Sequence, residues 1–271
     1  MLFFLEMIKC LNTDNCIVTH PDMVVVIPCY NEENRLQSEL YSQIAKDHPN
    51  ITLCFINDGS TDATLRLLQD LSKEVANIEF LDVQPNKGKA EAVRCGFLYV
   101  AANIPTKCIA FYDADMATPF EDLVSMSELL LQKDYFMVTG CRFKRMGGNI
   151  SRTYFRFLLG RMFATFAASV LRLPVYDTQC GAKVIKTSIV NNIFEEQFIS
   201  KWLFDIELFA RIIIHFGFTP ATVKIIEYPL SSWTEVGNSK LKLKDILRQP
   251  YALLKINNHY NIKSHVKQTS H

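Results

Sequence analysis

What this 271-residue chain lacks narrows it first. No run of about 20 uninterrupted apolar residues occurs, so no segment reads as a membrane-spanning helix. The N-terminal MLFFLEMIKCL is short, interrupted by charge, and without a signal-peptide architecture. The eight cysteines, at 10, 16, 29, 54, 95, 108, 141 and 180, include no Cys-x-x-Cys pair, which argues against a metal-binding or redox cysteine motif. Several fall inside apolar runs and read as small core residues in a reducing compartment. The six histidines make no metal-ligand spacing. A formal net charge of +1 removes any whole-chain argument for nucleic acid. Internal repeats, low-complexity blocks and Gly/Ser linkers are all missing. A cytoplasmic location follows by default.

What is present is a globular composition, 49% hydrophobic and 21% charged, long enough for one large α/β domain. Apolar β-branched runs alternate with helix-length segments. Met23–Ile27 precedes a helix near 34–46, Ile51–Ile56 one near 62–75, Ile78–Val83 one near 89–102, and Ile109–Tyr112 one near 119–132. Continuous apolar strands separated in this way predict a mostly parallel sheet covered by helices on both faces. Runs at 135–140 and 222–226 extend it. The spacing predicts an N-terminal extension over 1–20, one domain over 21–250 and a polar C-terminal tail over 251–271.

The most informative segment is CIAFYDADMATP, residues 108–119, an apolar strand that ends in Asp113-Ala114-Asp115 and then opens a helix. Thr118 is the expected N-cap, Pro119 the first helical residue, with Glu121 and Asp122 in the first turn. The two carboxylates sit at the carboxyl end of a strand, where open α/β sheets bind ligands. An Asp pair is costly unless a cation or donors offset it. Magnesium takes one or two carboxylates and completes its shell with water and phosphate oxygens. The segment is therefore a metal–diphosphate site or a solvated turn. Two other strand ends converge with it in a parallel sheet. One is Pro28-Cys29-Tyr30-Asn31-Glu32-Glu33, where Pro28 is expected to stop the strand; the other is Ile56-Asn57-Asp58-Gly59-Ser60-Thr61-Asp62, with Asp62 read as a helix cap.

IPCYNEE, INDGSTDAT, NKGKAEAVRCG and FYDADMATP, in this order and spacing, resemble family 2 inverting glycosyltransferases of the GT-A fold. VYDTQCGAKVI, WLFDIELFARI and YPLSSWTEVGNSKLKL are similar to the subgroup of dolichyl-phosphate β-glucosyltransferases and bacterial polyprenyl-phosphate glycosyltransferases. The resemblance covers residues 21–250; one departure is Ala182, where the family usually carries an aromatic residue. It implies that Pro28, Tyr30, Glu32, Ile56 and Asp58 contact the base and ribose of a nucleotide sugar. Asp113 and Ala114 would line the nucleotide, Asp115 with Asp113 would hold Mg²⁺ or Mn²⁺, and Lys89 would lie near the nucleotide. Arg142 would sit by the diphosphate or acceptor phosphate, and Lys240 would close over the diphosphate.

From Arg142 to Tyr176 there are seven basic residues (142, 144, 145, 152, 156, 161, 172) and no acid. A helix near 152–171 would be strongly apolar, with Arg152, Arg156 and Arg161 along one side. Such a helix lies in a membrane interface or packs in a core with its arginines reaching solvent. For the chemistry two acceptors stand. A phosphate monoester is largely dianionic at neutral pH and needs arginines (Arg142, Arg152, Arg156) but no strong base. A sugar hydroxyl needs a carboxylate base, for which Asp177 and Asp205 are the candidates. The basic excess favours the first: metal-dependent transfer of glucose from UDP-glucose to a polyprenyl or dolichyl phosphate, at the cytoplasmic face of a membrane. The alternative is addition to a hydroxyl in surface polysaccharide or glycolipid synthesis. Further rivals are a nucleotidyltransferase, which would release pyrophosphate, and a nucleotide-binding adaptor.

Overall fold

Parallel strands need crossover connections, and the first half of the chain supplies a helix after each of its first three strands. The structure is a computed structural model. It describes residues 20–151, 154–234, 243–262 and 264, with the side chains of 154–156 and 243–248 outside that description. The chain divides into two units, Met1–Asp115 with Lys186–Gln197, and Met116–Ile185 with Phe198–His271.

In the first unit, β1 (Met23–Cys29), β2 (Ile51–Asp58), β3 (Ile78–Val83) and β4 (Cys108–Tyr112) lie in the order β3-β2-β1-β4. All three pairings are parallel, Val25 facing Leu53 on one side and Ala110 on the other. Helices α1 (Ser38–Asp47), α2 (Thr64–Glu74) and α3 (Lys89–Asn103) are the crossovers. Neighbours Phe55 and Ile56 on β2 point to opposite faces. Tyr41 of α1 packs edge-on to Phe55 at 4.9 Å, whereas Gly96 of α3 lies against Val26 and Ile56. Helices therefore cover both faces. A Cβ at Gly96 would come within 2.6 Å of Val26, so the close approach of α3 needs glycine. Phe97 of α3 stacks at 4.3 Å on Phe194 of α6 (Val190–Phe194), and Arg94 donates to the carbonyls of Phe194 and Glu195.

In the second unit, β5 (Met137–Cys141) pairs antiparallel with β7 (Ala182–Lys186) and parallel with β8 (Ile225–Pro229). β6 (Asn149–Ser151) and β9 (Ser232–Thr234) form a separate parallel pair. Its helices are α4 (Phe120–Lys133), α5 (Tyr154–Leu171), α7 (Phe204–Phe216), α8 (Phe218–Lys224) and α9 (Leu243–Tyr260). Every residue of α7 from Phe204 to Ile213 is buried.

Several boundaries differ from those read in the sequence. Pro28 lies inside β1 and does not end it. Its partner there is Ile56 of β2, while the β1–β4 register stops at Val26, so the missing N–H falls beyond that ladder. The helix expected from Asn34 begins at Ser38, because the Glu32 carbonyl accepts from Arg35 and Leu36 N–H and makes a turn of that stretch. Pro119, not Thr118, is the cap of α4, and its carbonyl accepts the Asp122 N–H. The run at 222–226 is split, residues 222–224 closing α8 and Ile225 starting β8. Residues 251–260, expected within a polar tail, are helical, with Leu253 and Ile256 buried. Residues 1–19, most of the expected extension, lie outside the described residues.

The six described cysteines are all buried, as their place in apolar runs implies. Burial pushes the Cys108 thiol up to about 12 and those of Cys95 and Cys180 up to about 11, so none of these three is poised as a thiolate.

Candidate active site

The turns after β1 and β2 are laced into one surface. Asn31, with φ at +50°, receives a hydrogen bond at its carboxamide oxygen from Thr61 N–H and donates its own N–H to the Ser60 hydroxyl. Glu32 N–H reaches the Thr64 hydroxyl at 2.8 Å, and Glu33 N–H reaches Asp62. Asp62, expected as the cap of α2, stands one residue before the cap position, which Ala63 occupies, but its carboxylate accepts the N–H of Thr64, the first helical residue. These side-chain oxygens satisfy turn N–H groups that no ladder can reach. Tyr30 and Pro28 remain accessible beside the turn, and the Glu32 carboxylate pairs with Arg35 at 2.7 Å.

Asp58, at the end of β2 and only 2% exposed, holds a third loop. Its carboxylate accepts from Asn86 Nδ2 at 2.9 Å, Lys87 N–H at 2.8 Å and Gly88 N–H at 2.9 Å. Ile56, beside it on β2, is fully buried. Gly59, with φ at +61°, lies under the same loop, and a Cβ there would stand 2.4 Å from Asn86 N. The INDG segment thus uses Asp to bind a loop and Gly to let it approach.

At the end of β4, Lys89 Nζ lies 2.5 Å from Asp113 Oδ1 and 5.0 Å from the centre of the Phe111 ring. The buried Tyr41 hydroxyl donates to the Ala114 carbonyl at 3.2 Å. Burial pushes the Tyr41 hydroxyl well above its ordinary pKa, with the negative charge of Asp115 and Asp113 adding to it, so it stays a donor. The next residue but one, Met116, has φ at +53°, a strained value for a side chain of this size. Asp113 and Asp115 are partly exposed. Among the described residues no group of three or more His, Cys, Asp or Glu side chains could hold a metal by itself. Two carboxylates at a strand end suit a hard divalent ion that takes the rest of its shell from phosphate and water.

The second unit carries the other candidates. Asp177 receives Arg142 Nε at 2.7 Å on one oxygen and Arg142 Nη2 at 2.8 Å on the other, a bidentate pair. The same Nη2 donates to the Gln179 carbonyl at 2.9 Å, and the guanidinium lies 5.3 Å from the Trp233 ring centre. Glu227 fixes the turn from behind, accepting Tyr176 N–H and Asp177 N–H at 2.8 and 2.7 Å. Asp205, in the first turn of α7, is paired at 2.5 Å with Lys183, a fully buried lysine of β7 that also donates to the Cys180 carbonyl. Glu207 faces elsewhere. It accepts from Arg211, from the Tyr260 hydroxyl and from Ile199 N–H. Arg152 and Lys240 lie outside the described residues, as does the side chain of Arg156.

A profile of the family described as Glycosyl transferase family 2 matches residues 24–194. The chain belongs to glycosyltransferase family 2. The match takes in all three strand-end turns, both acids of Asp113–Asp115, Arg142 and Asp177. A dolichyl-phosphate β-glucosyltransferase of Drosophila melanogaster is 30% identical over 240 residues, covering 81% of this chain and 69% of the relative. The enzymes of that name from Saccharomyces cerevisiae and Homo sapiens are each 29% identical, over 81% and 80% of this chain and 69% and 68% of theirs. Among solved structures, glucosyl-3-phosphoglycerate synthase of Mycobacterium tuberculosis superposes with a TM-score of 0.64 at 16% identity, over 89% of this chain and 80% of that one. The fold is the α/β GT-A fold that the sequence motifs led us to expect, and the protein is a glycosyltransferase.

Reading the sequence missed four side chains that partner the charged residues of the second unit. Lys183, Glu227, Trp233 and Arg211 were not singled out. For Lys183 and Arg211 a signal existed: each is a lone cation inside an apolar run, a position that calls for a buried anion. Glu227 and Trp233 carried no such mark.

Proposed function

We propose that the protein transfers glucose from UDP-glucose to a polyprenyl or dolichyl phosphate, with inversion and with a divalent metal. The observation that carries the choice of acceptor is the state of the two acids available as bases. Asp177 is occupied by the Arg142 fork and Asp205 by the Lys183 ammonium. A hydroxyl acceptor needs a carboxylate ready to take a proton, whereas a phosphate dianion attacks without one. The names of the relatives, which act on dolichyl phosphate, support the same acceptor, and the Mycobacterium tuberculosis neighbour was crystallised with UDP-glucose and Mn²⁺.

In this reading Pro28, Tyr30 and Glu32 meet the base and ribose, with Ile56 and Asp58 shaping the floor beneath them. Asp115, assisted by Asp113, would hold Mg²⁺ or Mn²⁺, which when bound neutralises charge growing on the departing diphosphate. Arg142, oriented by Asp177, together with Arg152, Arg156 and Lys240, receives phosphate oxygens. A single displacement balances the reaction. The acceptor oxygen bonds to the anomeric carbon, the bond from that carbon to the diphosphate breaks, and UDP leaves.

A lipid acceptor requires a membrane surface, and α5 offers one. Four of its large apolar residues point outward: Met162 is 64% exposed, and Leu158, Leu159 and Phe166 lie between 38% and 46%. The small Ala164 and Ala167, with Leu171, are the ones buried. That is the reverse of a helix packed for a core, and it fits an interfacial helix lying on a cytoplasmic leaflet. No helix among the described residues is long and apolar enough to cross a membrane. Arg161 is not one of the lipid contacts; it donates to the Tyr176 carbonyl at 2.6 Å and stacks 3.5 Å over that ring. Met162→Glu with Phe166→Glu should lower binding to anionic vesicles about tenfold or more while leaving UDP binding in solution intact, measured by vesicle sedimentation and calorimetry. Unchanged sedimentation would remove α5 from the membrane contact.

The test of the whole reading is transfer from radiolabelled UDP-glucose to polyprenyl phosphate with Mg²⁺, with Mn²⁺ and with EDTA. Metal-dependent label in the lipid phase, with UDP released, is the expected result. Label that reaches only a sugar hydroxyl acceptor overturns it.

A further inference from the structure

Lys89 occupies a position that helix energetics do not explain. It is the first residue of α3, where a cation opposes the helix dipole, and the favourable acid of that turn, Glu91, is already paired with Arg94 at 2.8 Å. Its placement is nevertheless strongly determined. The buried Asp58 carboxylate binds the Asn86 side chain and the N–H groups of Lys87 and Gly88, and Gly59 lets that loop approach the backbone. Gly88, with φ at +92°, then turns the chain into α3 and delivers the Lys89 ammonium to Asp113. Both side chains stay accessible, at 40% and 33%, so a ligand can reach the pair.

We propose that Lys89 is a built-in counter-cation of the Asp113–Asp115 pair. It offsets the charge of Asp113, so that the divalent ion is held chiefly by Asp115 and by the diphosphate of the nucleotide, with Asp113 in the assisting place. The inference rests on the metal-dependent reading above and adds to it an order of loading. One fixed positive charge beside the site repels a bare divalent ion, and the diphosphate, which brings negative charge of its own, relieves that repulsion. Metal alone then binds weakly, and metal and nucleoside diphosphate bind together with positive coupling that is the same seen from either ligand. Lys89 acts through Asp113 on metal affinity and is in this respect a positioning residue.

The test is titration of the full chain with MnCl₂, followed by the spin-resonance signal of unbound Mn²⁺, without and with saturating UDP. The variants are Lys89→Met and Lys89→Arg. Lys89→Met should bind Mn²⁺ alone about tenfold more tightly than the wild type, the size expected when one like charge is removed beside a divalent ion near the surface. The gain in Mn²⁺ affinity on adding UDP should shrink correspondingly. Lys89→Arg, which keeps the charge, should behave as the wild type. A Lys89→Met protein whose affinity for Mn²⁺ alone is unchanged or weaker overturns the proposal and leaves the metal reading standing. No Mn²⁺ binding to the wild type even with UDP overturns both.

Discussion

Asp115→Ala is expected to lower kcat/KM for glucose transfer about a thousandfold, the scale seen when one preorganised electrostatic partner of a developing charge is removed. The fold should survive. The turn that carries Asp115 is held by the Tyr41 hydroxyl on the Ala114 carbonyl and by the parallel β1–β4 ladder behind it. The thermal transition should therefore move by only a few degrees, as for a partly exposed side chain outside the core. Asp115→Asn separates charge from shape: it keeps the volume and a donor–acceptor group but removes the negative charge. If charge at this position is what matters, Asn should be nearly as damaging as Ala, and Mn²⁺ binding measured with UDP present should weaken in both. Steady-state transfer and Mn²⁺ titration check the two parts separately. A variant with near-normal turnover would remove Asp115 from the metal site.

The three strand ends and their turns were legible because their logic is local. A strand that ends in Asp-Ala-Asp, or in Asn-Asp-Gly-Ser, announces itself by composition, and β3 was read to the residue. Pro28 misled because proline was weighed as a strand breaker, whereas the ladder that would have needed its N–H had already ended at Val26. The ion pairs were harder for a different reason. Periodicity treats a charged residue as a surface marker, so Lys183 in AKVIK and Arg211 in FARIII broke the pattern without naming their partners. Those partners, Asp205 and Glu207, lie 22 and 4 residues away. The nearer pair shares one helix face and could have been found; the other joins strand β7 to helix α7, a tertiary contact that no local signal gives. Asp58 shows a third kind of gap. The family resemblance assigned it to the nucleotide, and in the fold it also organises the loop that presents Lys89.

The second large effect concerns Arg142, and it separates scaffold from chemistry. Arg142→Ala strips the guanidinium from both oxygens of Asp177, an 8% exposed residue, and leaves that carboxylate to backbone N–H groups. Removing one partner of a mostly buried pair costs about 3 kcal/mol. The stacking on Trp233 and the hydrogen bond to the Gln179 carbonyl go with it. Arg142→Lys should recover little, since an ammonium cannot fork to two oxygens while also reaching a carbonyl. The paired change Arg142→Met with Asp177→Asn removes both charges, and most of the lost stability should return in urea unfolding. Transfer should not return with it if the guanidinium also receives a phosphate oxygen of the substrate, because that contact has no neutral substitute. Stability and activity recovering together would mean that Arg142 serves only to shape the turn that follows Tyr176. The phosphate would then have to be held by Arg152, Arg156 and Lys240.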